Sequence, residues 1–556
     1  MSSRVAARDR SSRKSLRYQA AHPAVGRHRQ LWAGLALSTL SGFIWFLGCT
    51  PFDLSALSWI AMVPLLFVLD RAPTRKSASL LAWWTGTVAI GGGYYWMIEL
   101  LRRFADLSLP LALLLYLVFS AYQGSVFLLF GWIVRTIRRR KPVPMVLLAP
   151  LAGSTAELVV PLLFPSHMAI VQAWHPLLIQ IADLTGPIGV SALLLVVNGA
   201  IYDTLLQVRD KQQQRWKLLA PPVAAAVLVV ATLVYGHFRM QQFDALSAAA
   251  PKLSVGVVQP NVPYNEKGLD HPEKAGGQLK DLQDQSRELE KSGARLIVWS
   301  ETAYPYSLTR DFRADFPESD SRRMLRGFTT PTVVGALTRG DSTLYNSAIL
   351  IGRDGQVTGR YDKMRLLAFG ETIPGVEHFP WLRSMVPEGF GNFTPGKDVT
   401  VLPLQTTDGA SWRVGAIICY EDILPGFLRR MGKLHPHVLV NLTNDSWYGA
   451  RAEPYQHLAL AVFGSIEQRT GMVRAVNSGI SAFIDANGRI VQQTEPIDPA
   501  VTPRPAESSL AAVPMLEAGH TVFAKVGELF ARLCGLCTVV LLLRAVYTRY
   551  PASPYD

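Results

Sequence analysis

Three short motifs in the second half of the chain carry side chains whose types suit work on an acyl group. The motifs run from Trp299 to Pro305, from Tyr361 to Leu366 and from Ile417 to Glu421, and they contain Glu301, Lys363 and Cys419. A cysteine sulfur attacks an acyl carbon best as a thiolate, so it needs a nearby base or positive charge. Glu301 could take the thiol proton, and Lys363 could stabilise both the thiolate and the oxyanion that forms during attack.

Two further carboxylates lie near these motifs. Glu371 follows Phe369-Gly370, and Glu421 follows Cys419 by two positions, so either could hold Lys363 or handle a proton. The backbone N–H after Cys419 could add a second oxyanion donor. Each residue alone is a weak signal, because a single cysteine after an apolar strand is usually a buried core thiol. The prediction of an active site therefore depends on the three motifs occurring in order within one domain.

The elements that must position these residues alternate between strands and helices. Helical stretches at 276–292 and 454–468 lie among short β-rich runs at 253–258, 296–299, 332–335, 348–351, 414–418, 438–441 and 480–484. Such alternation predicts an α/β domain, which we place at 237–500. Several prolines at 496–520 predict a linker at 501–526.

The first half of the chain consists mainly of long apolar segments. They lie at 31–49, 54–70, 78–100, 109–134, 143–164, 178–207 and 217–236, and an eighth follows at 527–547. Several approach the roughly 20 residues that span a bilayer. We therefore predict a membrane domain of about seven transmembrane helices at 31–236 and a C-terminal transmembrane helix at 527–547. Residues 1–30 and 548–556 are predicted as cytoplasmic tails.

The positions of the basic residues predict the orientation. Arginine and lysine are concentrated after the second, fourth and sixth apolar segments, at 71–76, 135–141 and 209–217. Because basic loops stay in the cytoplasm, the α/β domain is expected outside it. Arg102 and Arg103 are an exception, which we interpret either as a snorkelling pair or as a lipid-headgroup contact.

Composition agrees with a chain partly embedded in lipid. The chain has 556 residues, of which 49% are hydrophobic and only 17% charged, and the mean hydropathy is +0.18. The formal charge of +13 reflects the short basic runs between apolar segments, which suit membrane topology better than nucleic-acid binding. The four cysteines are too few and scattered for a disulfide framework. No metal, nucleotide or phosphate-loop motif is visible, so we expect neither a metal nor another cofactor.

The order Glu301, Lys363, Cys419, with these flanking residues, resembles the carbon–nitrogen hydrolase (nitrilase) superfamily, whose fold is an αββα sandwich. Further matching stretches are 258–263, 345–348, 441–449, 455–457 and 474–480. With seven spans before it and one after it, the chain from about 31 to 545 resembles the apolipoprotein N-acyltransferase family. The expected fold is a multi-pass α-helical membrane domain plus an extracytoplasmic nitrilase-like α/β domain.

This resemblance implies a ping-pong reaction in the bacterial inner membrane. Cys419 attacks the sn-1 ester of a phosphatidylethanolamine-type donor, and the acyl group then passes to the free amine of a diacylglyceryl-cysteine on an apolipoprotein. Glu301 is the implied general base and Lys363 the implied oxyanion stabiliser. Supporting roles fall to Glu371, which holds Lys363 or handles the transferring proton, and to Tyr420 and Glu421, which shape the surroundings of the nucleophile. Nothing in the sequence demands an oligomer, so we expect a monomer.

Three residues are predicted to contact substrate. Trp381 lies in an apolar segment, 379–393, which we interpret either as a mobile lid reaching towards lipid or as a loop packed over the domain core. Asn346 and Trp447 lie in stretches that match the family. Glu157 and Asp183 stand within apolar segments, where an ionisable group is costly and often functional. A buried structural hydrogen bond is the alternative for both.

Two other functions are weighed against acyl transfer. A membrane-anchored amide or nitrile hydrolase would share the three motifs, but a single anchor would suffice for it. A transporter or receptor with an inactive exterior domain would be expected to have lost Glu301, Lys363 or Cys419, and all three are present. The acyl-chain and headgroup preferences, and the range of acceptors, are not encoded in any motif that we recognise.

Overall fold

The computed structural model describes residues 23–104, 106–209, 215–367, 370–372, 375–376, 378–379, 381 and 393–547. Within these ranges the chain forms a helical region, then two β-sheets with their own helices, and finally one long apolar helix. We call the two sheets and the helices between β1 and the last apolar helix the sandwich domain.

The helical region contains eleven α-helices among the described residues. They are α1 (Pro23–Leu47), α2 (Val63–Arg71), α3 (Arg75–Gly93), α4 (Met97–Phe104), α5 (Leu109–Gln123), α6 (Ser125–Arg138), α7 (Met145–Val159), α8 (Pro176–Ile179), α9 (Ala182–Thr185), α10 (Pro187–Arg209) and α11 (Arg215–Ala249). Thr74 caps α3 by accepting from the Ser77 backbone N–H, and the Ser77 side chain accepts from the Thr74 N–H in return. This reciprocal capping fixes where α3 begins.

Five helices in the described part of the chain are long and apolar enough to cross a membrane, judged by length and composition. They cover Gln30–Leu47, Leu109–Arg138, Pro187–Val208, Leu219–Ala249 and Leu529–Tyr547. Each coincides with one of the eight predicted spans. The other three predicted spans contain α2, α3 and α7, which are shorter or less apolar. The number of spans therefore stays a prediction.

The sandwich domain contains thirteen described strands. They are β1 (Lys252–Gln259), β2 (Leu296–Trp299), β3 (Leu308–Thr309), β4 (Thr332–Arg339), β5 (Leu344–Ile351), β6 (Val357–Asp362), β7 (Val401–Gln405), β8 (Ser411–Ile418), β9 (Val438–Thr443), β10 (Met472–Val476), β11 (Ala482–Ile484), β12 (Ile490–Gln493) and β13 (Glu507–Pro514). The described helices that follow β1 are α12 (Pro272–Lys291), α13 (Pro425–Gly432), α14 (Glu453–Gln468), α15 (Val522–Val526) and α16 (Leu529–Tyr547).

The strands form two sheets that pack face to face. One sheet has the order β13-β1-β2-β4-β5-β6, with β3 beside β4, and the other has the order β12-β11-β10-β9-β8-β7. Strands β2 and β9 are buried throughout, because residues between two covered sheets lose contact with water on both faces. Helix α12 packs on the outside of β1, β2 and β13. This arrangement confirms the expected αββα sandwich.

All seven predicted β-rich runs overlap observed strands, although the run at 480–484 overlaps only in part, and several strands were missed. The missed strands are β3, β6, β7, β10, β12 and β13. Strand β13 lies inside the predicted linker at 501–526 and pairs antiparallel with β1 from Lys252↔Pro514 to Gln259↔Glu507. The linker prediction is therefore wrong for this stretch. The predicted start of the α/β domain at 237 is also too early, because α11 continues to Ala249.

Buried polar contacts join the helical region to the sandwich domain. Asp183 is fully buried and accepts from the Arg469 Nη2 at 2.7 Å. Gln180 donates to the carbonyl of Asn487 at 2.9 Å. Because unpaired groups at such depth are costly, these matched pairs fix the position of one region against the other.

Candidate active site

Glu301 lies just beyond the end of β2, which brings its carboxylate to the edge of the first sheet. The side chain is buried, and it accepts a hydrogen bond of 2.7 Å from the Asn346 amide, which stands on β5. It also contacts the Lys363 ammonium, with an Oε1–Nζ distance of 3.1 Å. Polar partners from β5 and from the end of β6 therefore both contact the Oε1 of this carboxylate.

Lys363 follows β6 and is 2% exposed. Its Nζ lies between two carboxylates, 3.1 Å from Glu301 Oε1 and 2.8 Å from Glu371 Oε2. Burial disfavours the ammonium, but the charges of Glu301 and Glu371 outweigh burial and raise the pKa of Lys363 well above its ordinary value. The side chain is thus a fixed positive charge rather than a proton donor at neutral pH.

Glu371 holds Lys363 and the backbone around it at the same time. Its Oε1 accepts from the Asn346 amide at 3.2 Å, and its Oε2 accepts from the Leu367 N–H at 2.8 Å. The contact with Lys363 agrees with the role predicted for this carboxylate. Asn346 bridges Glu301 and Glu371 in the described structure, and its contact with substrate stays a prediction.

Cys419 directly follows β8 and opens a short 3₁₀ turn, Cys419–Ile423. Its φ is +52°, a left-handed conformation that a cysteine rarely adopts. Strained backbone of this kind persists only where the surroundings enforce it, and it is concentrated at functional sites. The carbonyl of Cys419 accepts from the Asn441 amide at 3.1 Å, which helps to hold the turn.

Burial is the largest influence on the pKa of the Cys419 thiol. Burial raises its pKa to about 12; the Glu301 carboxylate also raises it, whereas Lys363 and His457 lower it. The resting thiol is therefore protonated at neutral pH. A base must remove the proton as the sulfur attacks, and Glu301 is a carboxylate whose charge reaches the thiol.

Glu421 ties the ends of β6 and β8 together. Its carboxylate accepts from the Tyr361 hydroxyl at 2.7 Å, from the N–H groups of Met364 and Arg365 at 2.8 and 2.9 Å, and from the Ile418 N–H at 3.0 Å. Burial raises its pKa to about 7, which these donors oppose. Glu421 thereby positions Lys363 and Cys419 through the backbone, and its own carboxylate points at neither side chain.

Tyr420 faces the helical region. Its hydroxyl donates to the carbonyl of Leu163, and its ring meets Phe164 edge to face, with centroids 5.7 Å apart. The residue after the nucleophile is therefore anchored to the segment that follows α7. This contact connects the position of Cys419 with the packing of the helical region.

Trp447 and Trp381 are the other two residues predicted to contact substrate. Trp447 packs edge to face on Phe104, with centroids 4.8 Å apart, and against Tyr264 at 5.2 Å. Trp381 is 60% exposed. Most of the predicted lid at 379–393 lies outside the described residues, so the lid stays a prediction.

Sequence reasoning missed two charged residues close to the site. Lys267 donates to the Thr302 hydroxyl at 2.5 Å, beside Glu301. Burial lowers its pKa to about 8, while Glu301 and Cys419 act in the opposite direction. Lys267 lies in a loop and does not directly follow a strand. Its position shortly after β1 is the feature of the sequence that could have indicated it.

His457 is the second missed residue. Its Nε2 lies 2.9 Å from Asp422 Oδ1, and its Nδ1 lies 3.2 Å from Asp445 Oδ1. Burial disfavours the charged ring, but Asp445 and Glu453 outweigh it and raise the pKa of His457 to about 9. The fully buried Arg474 also contacts Asp422. An i,i+4 pair with Glu453 on α14 was the available sequence signal.

Asp445, Glu453 and His457 bring ligand atoms within 4.8 Å of one another, a spacing that could hold a metal ion. The ring of His457, however, lies between two carboxylates and is protonated at neutral pH. A protonated imidazole has no lone pair to offer a metal. The chemistry of this donor set therefore favours an internal ion cluster over a metal centre.

The polar residues predicted inside the membrane have structural partners. Glu157 accepts from the Met168 N–H at 2.9 Å and lies 3.1 Å from His167 Nδ1. These contacts match the buried structural hydrogen bond that was the alternative to a functional role. Asp183 binds Arg469 of the sandwich domain and also Arg239 at 2.8 Å. Arg103 contacts Asp498 of the sandwich domain at 2.7 Å. It therefore joins the two regions, whereas the sequence predicted a snorkelling side chain or a lipid-headgroup contact.

Two family models cover most of the chain. A model described as the apolipoprotein N-acyltransferase N-terminal domain matches residues 41–200, and a carbon-nitrogen hydrolase model matches residues 254–498. The two matches correspond to the helical region and to the sandwich domain in turn, and the second includes Glu301, Lys363 and Cys419.

Curated relatives match across both regions. The apolipoprotein N-acyltransferase of Chlorobaculum tepidum is 32% identical over 394 residues, which cover 67% of this chain and 71% of that protein. That of Geobacter metallireducens is 29% identical over 509 residues, which cover 90% of this chain and 92% of that protein. That of Bradyrhizobium diazoefficiens is 28% identical, covering 94% and 96%. The chain belongs to the apolipoprotein N-acyltransferase family.

Proposed function

We propose that this protein transfers an acyl chain from a phospholipid to the N-terminal amine of a diacylglyceryl-cysteine on apolipoproteins. The observation that carries this proposal is a small cavity beside Cys419 that both regions of the chain line. His457 and Tyr448 come from the sandwich domain, while Trp96 and Phe164 come from the helical region. A nucleophile in a cavity that is lined by aromatic residues of a membrane protein suits an acyl donor that arrives from the bilayer.

In the first half-reaction, the sulfur of Cys419 attacks the sn-1 carbonyl carbon of a phosphatidylethanolamine-type phospholipid, and Glu301 accepts the thiol proton. The fixed charge of Lys363 stabilises the oxyanion. The carbon–oxygen bond then breaks, and Glu301 returns the proton to the departing alkoxide. The products are a lysophospholipid and a thioester on Cys419.

In the second half-reaction, the free α-amine of the diacylglyceryl-cysteine attacks the thioester carbon. Glu301 takes a proton from the amine, and the carbon–sulfur bond breaks. The sulfur leaves as a thiolate, which Glu301 reprotonates to restore the resting site. The product is an amide-linked third acyl chain on the apolipoprotein.

Glu371, Asn346 and Glu421 are positioning residues in this scheme. Glu371 and Asn346 hold Lys363 and Glu301 at hydrogen-bond distance, and Glu421 joins the backbone around Lys363 to that around Cys419. Removal of these contacts would misplace charges that must already be in place when the oxyanion forms.

We further propose that the protein acts as a monomer in the bacterial inner membrane, with the sandwich domain on the periplasmic side. The five apolar helices support membrane insertion. Basic residues at the adjoining ends of α2 and α3 and around the end of α6, within 71–76 and 135–141, support the orientation, because basic loops are retained in the cytoplasm.

The test uses purified full-length protein in detergent, phosphatidylethanolamine and a diacylglyceryl-cysteine lipopeptide with a free amine. Mass spectrometry should show one added acyl chain on the peptide amine and an equal amount of lysophospholipid. Cys419→Ala should show neither product. Because a hydrolase would release free fatty acid without acylating the peptide, that result would replace the proposal with hydrolysis.

A further inference from the structure

A cavity of about 690 Å³ opens between the helical region and the sandwich domain. Its charged lining comes from three separate parts of the chain: Glu99 and Arg103 on α4, Arg451 before α14, and Asp498 and Arg504 in the stretch before β13. Tyr95, Trp96 and Ile497 add apolar surface. A site that combines charged and aromatic walls at the junction with a membrane region is suited to an amphipathic ligand.

The lining of this cavity has more arginines than carboxylates. Both carboxylates, Glu99 and Asp498, bind the same arginine, Arg103, at 2.6 and 2.7 Å. Arg451 and Arg504 are exposed and have no ion-pair partner among the residues that the structure describes. The Nη1 of Arg103 is buried and lacks a hydrogen-bond partner within the same described part. The lining therefore has unused donors for an anion.

The cavity adjoins the candidate active site. Trp96 and Tyr448 line it, and the same two residues line the small cavity that contains Cys419. Their rings meet edge to face, with centroids 5.3 Å apart. A ligand in the larger cavity is thus separated from the nucleophile by this aromatic pair.

We propose that this cavity binds the phosphodiester headgroup of the acyl donor, with Arg451 and Arg504 as its phosphate contacts. Guanidinium groups recognise phosphate oxygens through paired, charge-assisted hydrogen bonds. Glu99 and Asp498 lie where a headgroup ammonium would find a negative partner. The inference rests on the proposed function and specifies where that reaction holds its phospholipid.

The experiment compares three forms of the full-length protein in detergent: the natural chain, the double variant Arg451→Gln/Arg504→Gln, and Arg353→Gln as a control. Arg353 is an exposed arginine in the β5–β6 turn, away from the cavity. Formation of the Cys419 thioester is measured against the concentration of phosphatidylethanolamine. A fatty-acyl p-nitrophenyl ester supplies the same acyl group without a phosphate.

The double variant should raise the KM for phosphatidylethanolamine about tenfold, which is the cost of roughly one charge-assisted hydrogen bond. Its rate with the p-nitrophenyl ester should match the natural chain, and Arg353→Gln should match it with both donors. Glycerophosphoethanolamine should compete with the phospholipid in the natural chain, whereas inorganic phosphate at the same concentration should not.

Several results would overturn the assignment. An unchanged KM for phosphatidylethanolamine in the double variant would remove the headgroup site while leaving the proposed function intact. Equal inhibition by inorganic phosphate would indicate a general anion site. A variant that slowed only transfer from the preformed thioester to the lipopeptide would place the acceptor there. Absence of any thioester in the natural chain would instead contradict the proposed function itself.

Discussion

At the residue scale, the thiol of Cys419 is subject to opposing influences. Burial and the charge of Glu301 raise its pKa, while Lys363 and His457 lower it, and the outcome is a value of about 12. The carboxylate that we propose as the base therefore suppresses the thiolate in the resting site. In the proposed reaction the thiol loses its proton only as it attacks the acyl carbon.

Glu301→Gln should consequently make Cys419 more reactive towards a small alkylating agent while abolishing acyl transfer. Loss of the negative charge removes an influence that raises the thiol pKa, whereas Lys363 still lowers it, so the thiolate fraction at a given pH rises. Iodoacetamide labelling of the Cys419 peptide, followed by mass spectrometry from pH 7 to 10, measures this shift. Glu517→Gln, at an exposed carboxylate, provides the control.

The opposite result would be informative. If Glu301→Gln labelled more slowly than the natural chain over this range, Glu301 would be promoting the thiolate rather than suppressing it. If acyl transfer survived the substitution, another group would have to be the base, and Lys267, which donates to Thr302 beside Glu301 and whose pKa burial lowers to about 8, is a candidate.

Glu301 and Cys419 could be proposed as reactive residues because each follows an apolar run that proved to be a strand, β2 or β8, whereas Lys363 follows β6, which was not predicted. Strands β1, β2 and β4 run parallel, as do β8, β9 and β10, so residues beyond their ends gather at one edge of each sheet. Lys267 and His457 could not be found in this way. One lies in a loop and the other on a helix, so neither directly follows a strand.

At the element scale, α14 is held against the turn at Cys419 by a buried cluster of ions. His457 on this helix contacts Asp422 of the turn and Asp445 of the loop after β9. The other charged or titratable groups around it are Glu453, Arg474 and Cys419. The cluster joins three elements that carry no direct backbone pairing to one another.

This cluster predicts a pH dependence of stability. The pKa of His457 is raised from 6.5 to about 9 in the folded chain, so the folded state binds its proton more tightly than the unfolded state does. The stabilisation is fully present below pH 6.5 and is lost as the pH rises through about 9. Thermal unfolding in detergent between pH 6 and 9.5 should show a decline that His457→Gln lacks.

The matched control for this measurement is His271→Gln, because the His271 side chain is 40% exposed and lies 3.2 Å from the exposed Glu273. Its variant should follow the natural chain throughout the range. A pH profile of His457→Gln that paralleled the natural chain would show that other groups control the decline, and the assigned charge of His457 would then be wrong.

Strand β13 shows why part of the fold escaped prediction. Its sequence, Glu507–Pro514, lies close to several prolines and has one short apolar run, Leu510–Val513, and only one of its residues is buried. An antiparallel strand at a sheet edge needs little burial, because backbone pairing with β1 over eight residues supplies its hydrogen bonds. Composition alone therefore resembled a linker.

At the scale of the whole molecule, the proposed function uses both the helical region and the sandwich domain, because both line the cavity beside Cys419. Asp183 is central to the contact between them, because it binds Arg469 at 2.7 Å and also accepts from the Tyr235 hydroxyl at 2.6 Å. Arg469 is 2% exposed. A guanidinium that is buried so deeply needs a carboxylate partner to offset the free-energy cost of removing its charge from water.

Asp183→Asn should lower the free energy of unfolding by about 3–5 kcal/mol, because it leaves a buried positive charge without compensation. Asp244→Asn is the matched control: it removes the partner of Arg489 in an exposed pair, which should cost less than about 1 kcal/mol. Thermal unfolding of both variants in detergent measures the difference. Equal effects would mean that the buried pair does not fix the two regions.

The orientation of the whole chain can be tested by labelling introduced cysteines in cells. Ser342 is exposed in the β4–β5 turn of the sandwich domain, and Pro73 is exposed between α2 and α3, beside Arg71 and Arg75. Because basic loops remain in the cytoplasm, Ser342→Cys should react with a membrane-impermeant maleimide in intact spheroplasts. Pro73→Cys should react only after the membrane is permeabilised.

A Cys537→Ser background removes the natural cysteine that is exposed; Cys49, Cys419 and Cys534 are buried. The background chain without an introduced cysteine gives the residual labelling. Reaction of both positions in intact cells would mean that the membrane was leaky. Reaction of Pro73→Cys alone would reverse the topology and place Cys419 on the cytoplasmic side, where a lipoprotein that has already been exported could not reach the thioester.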